Sequence, residues 1–143
     1  LPVDLAVCAA AVTDIKPAEK KKNKIKKENL KFKKINFIQT NDILEYVSKN
    51  NKCRPRIVAG FSAETENLTK NSISKMKSKH CDVIFANDIS QKDIGFNSDY
   101  NKISVIDKNG DIKIIPKNKK SFIANKIAEI LLNKLLVNDR NIN

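Results

Sequence analysis

Three continuous apolar runs stand out in the first two thirds of the chain, and each of them ends in polar residues. The runs cover 4–12, 56–63 and 82–86. Continuous apolar runs of this length are typical of strands buried on both faces, as in parallel sheets covered by helices. We therefore predict three buried parallel strands. The second and third are joined by a helix in a right-handed crossover.

Apolar residues at helical spacing lie between and after these strands. The spacing predicts a short helix that Thr40 or Asn41 caps and that ends near Asn50. It also predicts a helix from Thr65 to Lys79 and a long one over 119–136. Short alternating stretches predict the remaining strands.

One of these stretches, Leu30–Ile38, predicts a half-exposed strand with a break at Lys33-Lys34. The Asn109-Gly110 pair between 102–107 and 111–115 is a strong hairpin signal. We interpret this hairpin as a late antiparallel appendage off the main sheet. The predicted fold is α/β, a three-layer α/β/α Rossmann-like domain whose sheet is mostly parallel, with a late β-hairpin.

The length, charge and cysteine content of the chain limit its domain organisation and the classes of ligand that it can bind. The length of 143 residues predicts a single domain over 1–137 with a frayed tail at 138–143, and the net charge of +12 implies anionic partners. Nucleotides, nucleic acid and a membrane surface all fit that charge. No apolar run is long enough for a membrane span, and the three widely spaced cysteines favour reduced thiols in a cytoplasmic protein. The single histidine makes a zinc site improbable, so we predict no metal bound by side chains.

Much of the positive charge lies in one segment. Ten lysines and two glutamates fall between Lys16 and Lys34, a surplus of eight positive charges. The segment follows the first apolar run and Asp14, where a ligand would lie in an open parallel sheet. From the spacing alone, an ordinary solvated basic loop explains these lysines equally well. The same holds for Lys75 and Lys79, one turn apart on the second helix.

A set of short motifs favours ligand binding over an ordinary solvated loop. Their order and spacing resemble bacterial phosphopantothenoylcysteine synthetase, the ligase part of the bifunctional coenzyme A biosynthesis flavoprotein. The resemblance extends from the first strand to the last helix. The motifs are Ala10-Ala11-Val12-x-Asp14, Lys24-Ile25-Lys26-Lys27, Gly60-Phe61-x-Ala63-Glu64-Thr65-Glu66, Ala86-Asn87-Asp88 and Gly95-Phe96-x-Ser98-Asp99.

The resemblance implies an acid-amine ligase. In that family CTP activates the carboxylate of 4'-phosphopantothenate as an acyl cytidylate, and the amine of L-cysteine then displaces CMP. The expected cofactor is Mg²⁺ bound with CTP. The expected partners are these substrates and a second copy of the ligase domain, but neither nucleic acid nor a membrane.

Carried over by motif, the resemblance implies a set of nucleotide-binding residues. Lys24 is in addition the expected catalytic residue, on a flap over about 15–29 that closes over the site. The segment 38–41 departs from the family pattern, so we expect it to recognise the nucleotide mainly through backbone groups. Lys75 and Lys79 match lysines that hold phosphates. The full set is Cys8, Ala9, Ala10, Asp14, Lys24, Ile38, Gln39, Thr40, Asn41, Phe61, Lys75 and Lys79.

The chain begins at Leu1 and enters a strand almost at once, so we interpret it as a fragment. The family's glycine-rich first strand and its Asn-Arg-Ser-Ser-Gly motif are expected before this start. So is the decarboxylase domain that binds FMN in bifunctional members. We therefore expect nucleotide binding and not full turnover from this chain alone.

Two alternatives stay open at this point. A basic nucleic-acid-binding module fits the charge, although 16–27 carries no aromatic residue on which bases would stack. The other alternative is kinship in fold alone, with another anion in place of the nucleotide.

Overall fold

The computed structural model describes residues 3–20, 23, 35–50, 52–90, 94 and 98–140, with the backbone alone for 138–140. Its contacts divide the chain into two compact units, which we describe separately. The larger unit comprises Leu1–Ala9 and Ile43–Asn143, and the smaller one comprises Ala10–Asp42. The predicted boundaries of a single ligase domain stay a prediction.

The larger unit alternates strands and helices before it ends in a hairpin and a long helix. Its strands are β1 (Leu5–Cys8), β4 (Ile57–Glu64), β5 (Val83–Asp88), β6 (Tyr100–Asp107) and β7 (Ile112–Lys119). Its helices are α1 (Ile43–Lys49), α2 (Leu68–Lys79) and α3 (Lys120–Arg140). The smaller unit holds β2 (Ile15–Pro17) and β3 (Phe37–Gln39), which pair antiparallel.

The five strands of the larger unit form one sheet in the order β1-β4-β5-β6-β7. β1, β4 and β5 are parallel, whereas β6 pairs antiparallel with both β5 and β7. β7 therefore runs in the same direction as β5, and four of the five strands share one direction. This confirms the predicted α/β class with a mostly parallel sheet.

Side chains alternate between the two faces of the sheet, and each face packs against different helices. On one face, Ile57 and Phe85 pack with Ile123 and Leu131 of α3. On the other face, Val58 and Ile84 pack with residues of α1 and α2: Leu44, Val47, Leu68, Ile73 and Met76. Both faces of β4 and β5 are buried, which explains their continuous apolar sequences.

The prediction for the first strand was wrong in two respects. The apolar run 4–12 yields only the four residues of β1, and Val7 is 44% exposed. Within the described residues β1 has a strand partner on one side only, because it lies at one end of the strand order. A strand at a sheet edge exposes side chains that a central strand would bury.

The interpretation of the hairpin as an appendage was also wrong. The Asn109-Gly110 turn forms as predicted, with Gly110 at φ 88° and its N–H donating to the Asp107 carbonyl at 2.9 Å. However, β6 continues the main sheet through five residue pairs with β5, and Ile103 and Ile106 are buried. The hairpin is therefore part of the core. Residues 91–93 and 95–97, ahead of it in the chain, lie outside the described residues.

Helix boundaries differ from the predictions at two ends. α2 begins at Leu68 and not at Thr65, because β4 continues to Glu64 and Asn67 adopts a left-handed φ of 50°. α3 continues past Leu136 to Arg140, so its backbone covers part of the predicted frayed tail. The predicted strand over 30–38 is observed at Phe37–Gln39, and 30–34 lie outside the described residues.

Among the described glycines, Gly60 is the one that the packing of α1 on the sheet requires. A Cβ there would lie 2.6 Å from Leu44 Cδ2 and 3.1 Å from Ile84 Cδ1. We expect Gly60→Ala to lower the free energy of unfolding by about 1–3 kcal/mol, since the methyl overpacks the α1 side of the sheet. Urea unfolding measures this loss.

The double variant Gly60→Ala, Leu44→Ala is the control. Because it removes the side chain that the new methyl meets, the combined loss should be smaller than the sum of the two single losses. Strictly additive losses would contradict the proposed steric cause.

Candidate functional site

The carboxyl ends of the parallel strands form one edge of the larger unit. β1 ends at Cys8, which lies opposite Gly60 of β4, and Ala9 follows it. β4 and β5 continue beyond this point and end together, with Glu64 opposite Asp88. In open α/β sheets, ligands bind outside this edge. Cys8, Ala9 and Phe61 of the predicted set therefore lie at the expected place.

Phe61 has separate roles for its ring and its backbone. The ring packs against Phe85 on the α3 side, with 5.3 Å between the centroids. Its carbonyl oxygen accepts a hydrogen bond of 3.0 Å from the Lys75 ammonium of α2. Lys75 is thereby held against the carboxyl-terminal half of β4, and the structure brings these two predicted residues together.

Lys79 lies one turn further along α2 and contacts α1. Its ammonium donates to Glu45 Oε2 at 3.0 Å, while Lys49 donates to Glu45 Oε1 at 2.6 Å. The hydrogen bond from Lys49 is the largest cause that lowers the pKa of Glu45. The hydrogen bond from Lys79 and the charges of both lysines lower it further. The carboxylate is therefore ionised at neutral pH, and it links the two helices.

A second polar link docks the start of α2 on β4, and the sequence reasoning missed it. Glu64 accepts a short hydrogen bond from the buried Ser62 hydroxyl and one of 3.1 Å from Asn71 Nδ2. Asn71 also donates to the Glu66 carbonyl at 3.1 Å. Asn67 makes no capping hydrogen bond with its side chain, so Asn71 secures the first turn in its place. Only the Glu64-x-x-x-x-x-x-Asn71 spacing hints at this link.

The smaller unit brings together another part of the predicted set. Ile38 and Gln39 lie in β3, and Gln39 pairs with Ile15, the residue after Asp14. The Thr40 N–H donates to the Asp14 carbonyl at 2.9 Å, and its hydroxyl donates to the Thr13 carbonyl at 2.6 Å. Asp14 is thus adjacent to the segment 38–40 through backbone and hydroxyl contacts.

Three predicted residues are not tied into these groups. Ala10 and Asn41 are exposed residues of the smaller unit and belong to neither of its strands. Lys24 lies outside the described residues, as does most of the predicted flap over 15–29. The predictions for the flap and its catalytic lysine therefore stay predictions.

Three further findings concern the parts of the chain that the structure describes. There, no group of three histidine, cysteine or acidic side chains is placed to hold a metal ion. No helix among those residues has the length and apolar character needed to cross a bilayer. None of the three cysteines forms a disulfide, and burial raises the pKa of the Cys81 thiol to about 11, so it is a poor nucleophile near neutral pH.

The fold and the arrangement at the strand ends define the class of this chain as a Rossmann-like α/β/α domain. The chain belongs to the family described as DNA/pantothenate metabolism flavoprotein C-terminal domain, whose model matches residues 2–135. The resemblance drawn from the motifs is confirmed.

Individual known proteins agree with this assignment. The chain is 36% identical over 129 residues to the coenzyme A biosynthesis bifunctional protein CoaBC of Borreliella burgdorferi, covering 90% of this chain and 32% of that protein. The crystal structure of a CoaBC C-terminal domain superposes with a TM-score of 0.68 at 23% identity, covering 96% of this chain and 56% of the other. A mutant of Cab2 in complex with phosphopantothenate-cysteine superposes with a TM-score of 0.53 at 9% identity, over 74% of this chain and 34% of the other. The chain thus spans about a third of the curated relative's length.

The docking of α2 leads to a prediction about Asn71. We expect Asn71→Ala to lower the free energy of unfolding by about 1 kcal/mol, because it removes the hydrogen bonds to Glu64 and to the Glu66 carbonyl. Amide hydrogen exchange at the start of α2 should accelerate. Urea unfolding and exchange measured by mass spectrometry test the two effects.

Asn125→Ala provides the matched control, since it makes the same substitution at an exposed position of α3. It should leave stability unchanged or raise it, because alanine is the better helix former. Equal behaviour of the two variants would argue against a docking role for Asn71.

Proposed function

We propose that the chain is part of a CTP-dependent ligase that joins 4'-phosphopantothenate and L-cysteine in coenzyme A biosynthesis. The observation that carries the proposal is the placement of Lys75 and Lys79, one turn apart on α2, with Lys75 held against the carboxyl-terminal half of β4. The family membership and the phosphopantothenate-cysteine complex of the structurally similar Cab2 support the substrate class.

The proposed reaction has two steps. The carboxylate oxygen of phosphopantothenate attacks the α-phosphorus of CTP, which forms an acyl cytidylate and releases pyrophosphate. The cysteine amine then attacks the acyl carbon, and CMP leaves with its phosphate oxygen while the amine loses a proton. Both steps transfer negative charge to departing phosphate groups. Fixed cationic groups near those phosphates lower the barriers.

The lysines of α2 are suited to that role in different ways. The Lys75 ammonium has three N–H groups. One donates a hydrogen bond to the Phe61 carbonyl, and the other two can donate to a ligand. It is thus a cation anchored to the sheet. Lys79 is held by a carboxylate and is 26% exposed, so it lies within reach of solvent and ligand. Lys24 on the flap would complete the cationic set and exclude water from the acyl cytidylate.

We assign recognition of the cytosine and ribose to the small and polar residues of the predicted set. Cys8, Ala9 and Ala10 are small enough to allow a planar group close to the backbone. Asp14 and the segment 38–41 of the smaller unit offer polar groups of their own. The Thr40 N–H is committed to Asp14, so recognition through the backbone falls to the other groups of this segment.

The metal and the remaining partners follow from the same proposal. The nearby carboxylates are engaged, since Glu64 accepts from Ser62 and Asn71 and Asp88 accepts from Ser90. Magnesium would therefore be held mainly by the phosphate oxygens of CTP, whose charge it screens. We further propose a cytoplasmic homodimer formed through ligase domains, linked to a decarboxylase domain that carries FMN.

Calorimetric titration of CTP with Mg²⁺ tests the proposal. We expect saturable binding by the wild-type chain, tighter than binding of ATP. The double variant Lys75→Met, Lys79→Met should lose at least about tenfold in affinity, because each lysine supplies a charge-assisted hydrogen bond to phosphate.

The double variant Lys70→Met, Lys77→Met is the matched control. It removes the same charge from exposed positions of the same helix, so its affinity for CTP should change little. If both double variants lost the same affinity for CTP, the loss would result from the change in net charge and not from the positions of Lys75 and Lys79. Tight binding of a short single-stranded RNA with steep salt dependence, without CTP binding, would replace the ligase by a nucleic-acid-binding module.

A further inference from the structure

Glu45 places a negative charge beside one of the two lysines assigned to phosphate binding. The side chain extends from α1, and each carboxylate oxygen accepts a hydrogen bond from a different lysine. Lys49 belongs to the same helix, whereas Lys79 reaches across from α2. The three side chains are partly exposed, with Glu45 at 34% and Lys79 at 26%. The contact is therefore accessible to a ligand in solution.

Lys75 and Lys79 consequently differ in the group that holds each ammonium. Lys75 donates to a neutral carbonyl, which adds no net charge to the site. Lys79 donates to an ionised carboxylate, which both occupies its ammonium and repels an approaching phosphate. A ligand that binds the Lys79 ammonium must replace its hydrogen bond to Glu45 and approach against the negative charge of that carboxylate.

We propose that Glu45 is a positioning residue that holds Lys79 in the absence of ligand and thereby lowers the affinity of this site for phosphate-bearing ligands. Binding of a polyphosphate transfers Lys79 from Glu45 to the ligand. The proposal rests on the proposed function, because it takes Lys79 to be a phosphate-binding residue. It goes beyond that function because it assigns Glu45 an opposing role in setting affinity.

Lys49 makes the transfer less costly. When Lys79 leaves, Glu45 keeps its hydrogen bond of 2.6 Å to Lys49 and is not left as an unpaired charge. A triphosphate with its magnesium still carries more negative charge than a carboxylate, so it competes effectively for the ammonium. When pyrophosphate departs, Lys79 returns to Glu45, and the return favours release of the product.

Titrations of inorganic triphosphate and of CTP, each with Mg²⁺, test the proposal on wild type and Glu45→Gln. We expect Glu45→Gln to bind both ligands about two- to five-fold more tightly, the range expected from releasing an exposed ion pair. Glu129→Gln is the matched control. It makes the same charge change at a glutamate on α3 that is paired with Lys126 at 2.7 Å, and it should bind as wild type does.

Unchanged or weaker binding by Glu45→Gln would overturn the proposal, since it would show that Glu45 is neutral or pre-organises Lys79 for the ligand. An equal gain in Glu129→Gln would also overturn it, because the effect would then be a matter of net charge. Thermal unfolding of each variant shows that the compared proteins are folded.

Two further readouts establish that Glu45 acts through Lys79. In a Lys79→Met background, Glu45→Gln should bring no gain in affinity, and a gain that persists there would refute the coupling. Without any ligand, acetylation of Lys79 followed by mass spectrometry should be faster in Glu45→Gln than in wild type, with the exposed Lys77 as internal reference. An unchanged ratio would contradict the restraint of Lys79 by Glu45.

The failure of this proposal is distinguishable from that of the proposed function. If the wild-type chain binds triphosphate but not CTP, the ligase assignment fails, and the triphosphate titrations still decide the role of Glu45. If the wild-type chain binds neither ligand, both proposals are overturned.

Discussion

The complete burial of β4 is the constraint on which the larger unit depends. Residues Ile57 to Ala59 are at most 2% exposed, because α3 packs on one face and α1 with α2 on the other. β4 also pairs with β1 on one side and β5 on the other, so its first half is enclosed on four sides. Such a strand carries apolar side chains on both faces of the sheet. At Gly60 the packing leaves no room for a side chain. The positions of all three helices follow from this strand.

A polar network closes the amino-terminal end of the same strand. Arg54 donates to the carbonyls of Ser48 and His80 at 2.8 and 3.1 Å and to Asp82 Oδ2 at 2.8 Å. Asp82 in turn accepts from the N–H of Val58 at 2.8 Å. One guanidinium thus ties the ends of α1 and α2 to the starts of β4 and β5. The amino-terminal edge of the sheet is fixed in this way.

The parts of the fold that local patterns encode were predictable from sequence, and the parts set by distant pairing were not. The apolar run over 56–63 matches β4 within one residue at each end, since burial on both faces leaves a clear signal. The start of α2 was misplaced because the pairing of Glu64 with Asp88 extends the strand, a contact that no local window contains. The hairpin turn was read correctly, but its addition to β5 depends on burial of Ile103 and Ile106 in the assembled core.

The candidate site shows the same division. The shared face of Lys75 and Lys79 follows from helical periodicity, and the Glu45–Lys49 pair is a four-residue spacing that the sequence displays. The contact between Glu45 and Lys79 joins residues 34 positions apart, so only the packing of α1 against α2 reveals it. The resemblance therefore proposes the site residues, whereas the groups that hold Lys75 and Lys79 are visible only in the structure.

The shortness of β1 explains why Lys75 finds an acceptor on β4. Successive carbonyls of a strand point to opposite sides, and the Glu64 carbonyl points toward β5, where it accepts from the Ile89 N–H at 3.0 Å. The Phe61 carbonyl, three residues earlier, therefore points away from β5 toward the side of β1. Because β1 ends opposite Gly60, no residue of β1 lies beside this carbonyl, and the Lys75 ammonium satisfies it at 3.0 Å. A longer first strand would pair with that oxygen and displace the lysine. The early end of β1 is therefore a condition for the contact between Lys75 and β4.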